Sequence, residues 1–121
     1  NEINMEIALM ILSQAGFIVD TAETAKIAVD LVSSSVRGYY DAILMALQMP
    51  VMDGFEATRT IRSLPDPSLA RIPIIAMTAN AFKEDVQATL DAGMEAHIAK
   101  PIDVDVLMKT LTDVLLASEK T

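Results

Sequence analysis

The sequence contains no cysteine and no tryptophan, and its aromatic residues are two tyrosines and three phenylalanines. Without cysteine there is no disulfide framework and no thiolate metal site. Basic residues are scarce: 9 lysines and arginines face 17 acidic residues, for a net charge of −8. General nucleic-acid binding relies on basic surface, so that class is excluded. The acidity itself is explained by solubility. No apolar run approaches the ~20 residues that cross a bilayer. The opening NEINMEIALM also lacks the basic head of a signal peptide. The expectation is a cytoplasmic domain with no nucleic-acid partner and no membrane contact.

What is present is a globular balance, 52% hydrophobic and 21% charged over 121 residues. That length suits one domain with one core, so residues 1–121 are read as a single domain. The chain alternates between two hydrophobic periods. NEINMEIALMILSQAG reads as a helix with Ile3, Ile7, Met10 and Ile11 on one face and a stop near Gly16. FIVDTA, residues 17–22, reads as a strand. ETAKIAVDLVSSS reads as a helix with Ile27, Ala28 and Leu31 facing inward. DAILMA, residues 41–46, is the next strand, and GFEATRTIRSL is a helix capped by Asp53. The stretch SLPDPSLARIP, residues 63–73, holds three prolines and reads as a loop. IPIIAMTA is a buried strand, AFKEDVQATLDAG a helix ending at Gly93, AHIAK a short strand, and DVDVLMKTLTDVLLAS a final helix capped by Asp103.

Four short strands separated by single helices imply a parallel sheet covered on both faces by five helices. The fold class is doubly wound α/β. In such sheets function gathers at the carboxyl ends of the strands. Those ends are Ala46, Thr78 and Lys100. A hydroxyl and an ammonium converging on one edge suit a dianionic phosphoryl group. A capping threonine and a surface lysine account for the same two residues equally well.

The stretches NEINMEIALMIL, LQMPVMDGFEATRTIR, IPIIAMTANAF and DAGMEAHIAKPI, in this order and spacing, resemble the response-regulator receiver domain of two-component signalling. The likeness is to the receivers of hybrid sensor kinases and covers nearly the whole chain. It implies a flavodoxin-like sheet and a phosphorelay, in which a histidine kinase or phosphotransfer domain passes a phosphoryl group to a receiver aspartate with Mg²⁺. By resemblance, Thr78 takes the switch-hydroxyl place and Lys100 the conserved lysine place. Pro101 follows where the family often has a cis peptide. Gln48 takes the place that offers a main-chain carbonyl to the metal. Met49, Pro50, Asp53 and Gly54 match the loop after the acceptor, and His97 lies at the aromatic switch position.

Two departures set this sequence apart. The acceptor position holds Ala46, and a methyl group neither attacks phosphorus nor ligates a cation. The family's first strand, with the acidic pair that ends it, should precede Asn1 and is absent from this sequence. A hard cation needs several oxygen ligands. Asp41 does not replace them, because it stands five residues before Ala46, roughly 16 Å away by strand rise. The expectation is therefore no metal or other cofactor in this form, and no enzymatic activity.

A receiver without its first strand leaves residues 17–22 and 41–46 with unpaired apolar edges. Three repairs are open: direct pairing of the two segments, association or strand exchange between two copies, or a strand supplied by a longer natural protein. The leading expectation is a receiver that does not accept phosphate and serves as an interaction or dimerisation module. The second is a truncated, altered form of an ordinary phospho-accepting receiver from a hybrid histidine kinase or response regulator. The third is a small flavodoxin-like flavin binder, against which stands the lack of any Gly- or Ser/Thr-rich phosphate loop after a strand.

Overall fold

Three short runs rich in isoleucine and methionine pair in parallel. In the computed structural model, which describes residues 2–36, 38–46, 53–78, 83–99 and 102–119, these are β1 (Ile43–Ala46), β2 (Ile74–Thr78) and β3 (Ala96–Ala99). They lie in the spatial order β1-β2-β3. Ile43 is opposite Ile74 and Ala46 opposite Met77. Ile75 is opposite Ala96 and Thr78 opposite Ala99. The helices are α1 (Glu2–Gln14), α2 (Ala25–Ser33), α3 (Gly54–Arg62), α4 (Pro67–Ala70), α5 (Lys83–Ala92) and α6 (Val104–Glu119).

All five residues of β2 are buried, as expected of a central parallel strand covered on both faces. Its side chains alternate between two cores. Ile74 and Ala76 join Met45 with Ala25, Val29 and Val32 of α2 and Ala57 and Ile61 of α3. Ile75 and Ile98 join Leu12 of α1 with Leu107, Leu111 and Val114 of α6. Burial of one such side chain contributes about 1.5–3 kcal/mol, so the two layers hold the sheet from both sides.

Local signals set the helix ends. The Asp53 carboxylate accepts from the Glu56 amide at 2.9 Å and caps α3. Asp103 does the same for α6 through the amides of Asp105 and Val106. Gly93 follows α5 with φ +100°, a conformation that favours glycine.

Several expectations are corrected. Residues 17–22 form no strand, and among the described residues they do not pair with β1, so direct closure of the sheet does not occur. An extended apolar segment becomes a strand only when a neighbour takes up its backbone groups, and here Ile18 is 98% exposed instead. The sheet has three strands among the described residues, not four. The described helices number six, not five, because α4 forms within the expected loop. Pro67 stands in its first turn, where no amide is needed. Asp66 caps it through the Ser68 amide. In α1 the buried residues are Ala8 and Leu12, with Ile11 half-buried, whereas Ile7 and Met10 are exposed. In α2 the buried stripe is Ala25, Val29 and Val32; Ala28 packs at its margin and Ile27 is exposed. Both helices bury small or branched side chains close to the sheet and turn bulkier ones outward.

One cation ties the layers together. Arg62, at the end of α3, donates to the carbonyls of Gly93 (3.0 Å), Ala70 (2.7 Å) and Ile72 (2.8 Å). It also donates to both carboxylate oxygens of Glu95, at 2.6 and 3.1 Å. Glu95 in turn accepts from the Ile74 amide at 2.7 Å. Arg62→Ala leaves these acceptors without their donor and is expected to lower unfolding free energy by about 2–4 kcal/mol in urea titrations. Arg62→Lys lacks the planar fork and should recover about half of that or less. A loss under about 0.5 kcal/mol for the alanine variant would show that water replaces the guanidinium.

Candidate functional site

When all strands run one way, their carboxyl ends collect on one edge. Here that edge carries Ala46 at the end of β1, Thr78 at the end of β2 and Ala99 at the end of β3. Neighbouring strands lie about 4.8 Å apart, so the three ends share a small area. Thr78 is 8% exposed. By strand alternation it shares a sheet face with Ala76. His97 is registered to Ala76 and therefore stands on that same face, one pleat behind Thr78 on the adjacent strand, and it is half-buried. The structure thus brings Thr78 and His97 to one face of the sheet, and Ala46, registered to Met77, ends the adjacent strand. Asp53 and Gly54 begin α3; Gly54 is buried, and its carbonyl accepts from the Thr58 hydroxyl at 2.8 Å. Lys100, Pro101 with its expected cis bond, and Gln48, Met49 and Pro50 lie outside the described residues.

Among the described residues, none of the groups at this edge fits a divalent cation. Mg²⁺ binds through oxygen ligands, usually one or two carboxylates. Among the described residues no cluster of three or more Asp, Glu, His or Cys could hold a metal. Alanine stands at the end of β1, and a carboxylate oxygen of Asp53 is engaged in capping α3.

A slot of about 270 Å³ lies beside the outer edge of β1, between the two segments expected to have unpaired apolar edges. Ala8 and Leu12 of α1, Ala28 and Leu31 of α2, and Leu111 and Leu115 of α6 line it. Asp20, Tyr40 and Asp41 also border it. The Tyr40 hydroxyl donates to Asp20 Oδ2 at 2.8 Å, and the Tyr39 and Tyr40 rings meet edge to face at 4.8 Å. An apolar segment that stays unpaired produces such a slot, but pairing is not a local property of the segment.

The family model for the response regulator receiver domain matches residues 1–112. The chain belongs to this family. Hybrid signal transduction histidine kinase L of Dictyostelium discoideum is 44% identical over 103 residues, which is 84% of this chain and 6% of that protein. Sensor histidine kinase RcsC of Escherichia coli K12 is 34% identical over 103 residues, 85% of this chain and 10% of that protein. The chain thus spans a tenth or less of either relative. Among solved structures, the receiver domain of a sensor histidine kinase from Pseudomonas aeruginosa PAO1 superposes with a TM-score of 0.83 at 36% identity, covering 95% of this chain and 90% of that one. That protein has a magnesium ion coordinated in its active site cleft. Vibrio cholerae chemotaxis protein CheY4 gives a TM-score of 0.80 at 28% identity, covering 90% of this chain and 87% of that one. This receiver therefore has the flavodoxin-like fold of two-component signalling, and hybrid histidine kinases are among its relatives. Among the described residues no helix is long and apolar enough to cross a membrane.

Burial, together with the hydrogen bond to Asp20, pushes the Tyr40 phenol up from 10.0 to about 12. The folded receiver therefore holds this proton to higher pH than the unfolded chain does. The stability linked to it is complete below pH 10.0 and is lost as pH rises through about 12. In urea titrations across that window, Tyr40→Phe should show a shallower decline in midpoint than the parent. Equal slopes for both proteins would mean that Tyr40 titrates normally.

Proposed function

We propose that this chain is a receiver domain of a two-component phosphorelay that, in this form, does not take up phosphate and acts as an interaction module. One observation supports the reading above all: Ala46 ends β1, registered to the residue just before Thr78. The two strands end beside each other at one edge of the sheet, and in this reading the acceptor position has no nucleophilic oxygen. Thr78 and Lys100 are then remnants of a phosphoryl-binding site, His97 its switch position, and residues 48–54 the loop after the acceptor. Residues 1–121 act as one cytoplasmic domain with no enzymatic activity of their own. The partner class is a histidine kinase or a phosphotransfer domain, in keeping with the relatives. Dimerisation, by association or strand exchange, belongs to the same reading.

Incubation with acetyl phosphate and Mg²⁺, followed by intact mass, tests this reading. The expected result is no stable gain of a phosphoryl group. A variant that combines Ala46→Asp with an added N-terminal strand ending in two acidic residues should gain one phosphoryl group. Phosphorylation of the unaltered chain would overturn the reading. A restored variant that folds yet stays inert would remove the phosphorelay ancestry from it.

A further inference from the structure

The Arg62 guanidinium divides its donors between two parts of the fold. Nη1 donates to the carbonyls of Ala70 and Ile72, at 2.7 and 2.8 Å, on the path from α4 to β2. Nε donates to the Gly93 carbonyl at 3.0 Å, and Nη2 to the Glu95 carboxylate at 2.6 and 3.1 Å, in the turn between α5 and β3. Ile74 adds to the same boundary. Its amide donates to Glu95 Oε1 at 2.7 Å, and its carbonyl accepts from the Glu95 amide at 2.9 Å. The segment beyond this boundary, residues 87–95, has little apolar attachment. In the last turns of α5 the buried residues are Thr89 and Ala92, both small, while Leu90 is 53% exposed. Met94 is the one large buried side chain of the segment.

We propose that Arg62 is a latch: the end of α5 and the turn after it, residues 87–95, swing away from α3 and β2 as one unit while the rest of the fold stays closed, and the guanidinium sets how often they do. Segments with few buried apolar contacts open at a lower free energy than the whole domain. The closure of this one therefore falls largely to its polar links. The planar fork makes those links cooperative. A guanidinium held by Nη1 on one side cannot turn away from Gly93 without also leaving Glu95. When the Glu95 carboxylate leaves, the Ile74 amide loses its acceptor as well.

The two cores mark where the opening stops. Met94 belongs to the core on the α3 side of the sheet, whereas Ile98 of β3 packs with Leu107 and Leu111 on the α6 side. β3 therefore keeps its hold when the segment leaves, and the hinge falls at Ala96. The opening uncovers Met94 and the Ile74 amide at the amino end of β2, whereas Thr78 ends that strand at the opposite edge of the sheet. The latch does not depend on the acceptor position, so phosphorylation and the test below report separately.

The test is amide hydrogen exchange on the full chain over a range of low urea concentrations. The amides of Ile74, Gly93, Met94 and Glu95 should share one protection, about tenfold or more below that of Leu111 in α6, and should respond less to urea than Leu111 does. Arg62→Lys, which lacks the fork, should lower all four by a common factor of about fivefold or more. Glu95→Gln, which keeps an acceptor for Ile74 but removes the charge, should lower them together by a smaller factor. Four unequal protections, a urea dependence equal to that of Leu111, or unchanged protection in either variant would each overturn the latch. A loss confined to Ile74 would make Glu95 a local cap and overturn it as well.

Discussion

In the interior of a parallel sheet, each residue gives both backbone groups to one neighbour and the next residue gives its own to the other. β2 meets this requirement on both edges. The Pro73 carbonyl accepts from Ile43 on one side, and the Ile74 carbonyl accepts from the Glu95 amide at 2.9 Å on the other. Glu95 also accepts the Ile74 amide on its side chain, so one residue fixes the start of the β2–β3 ladder through both its backbone and its carboxylate. From that start the register runs to Thr78 opposite Ala99. Arg62 holds the Glu95 carboxylate in place and donates to the carbonyls of Ala70 at the end of α4, Ile72 beyond it and Gly93 after α5. Gly93 makes room for this: a Cβ there would lie 3.3 Å from the Arg62 side chain in a backbone conformation already unfavourable for it.

The residues that were legible in the sequence are those whose fate is decided locally or by composition. The runs at Ile43, Ile74 and Ala96 are apolar on both faces, which only a covered parallel sheet accommodates. Asp53 and Asp103 cap because a short carboxylate reaches the amides of the first turn. Gly93 ends α5 because glycine alone adopts its conformation at little cost. Residues 17–22 were misread because strand formation depends on a neighbour that the sequence does not reveal. The phases of α1 and α2 were misread by weighting side-chain size. Ala8 and Leu12 in α1, and Ala25, Val29 and Val32 in α2, set the inward stripes by helical spacing, while Ile7 and Ile27 lie to the side. Pro67 was read as a helix breaker, although a proline in the first turn starts a helix.

The site divides in the same way. Strand ends follow from topology, so Ala46 and Thr78 could be placed before any coordinates, and the neighbourly position of His97 follows from two-residue alternation. The unpaired edges of residues 17–22 and 41–46 were foreseen, but the helices that wall the slot were not, because they come together only in the fold. Its two aspartates are far apart in sequence, and neither belongs to a motif. Asp20 accepts a hydrogen bond from the Tyr40 hydroxyl.

Alanine at the end of β1 avoids an electrostatic cost. A carboxylate beside the closely buried end of β2 would lose hydration, and that cost is offset only by a nearby cation or by several donors. With a divalent ion held by further carboxylates, such a residue is compensated. Without those ligands it is a partly buried like-charge addition to a chain already at −8. Alanine carries no such penalty. The buried Thr78 persists on different grounds, since a small hydroxyl at the end of a central strand is tolerated whether or not a phosphoryl group ever reaches it.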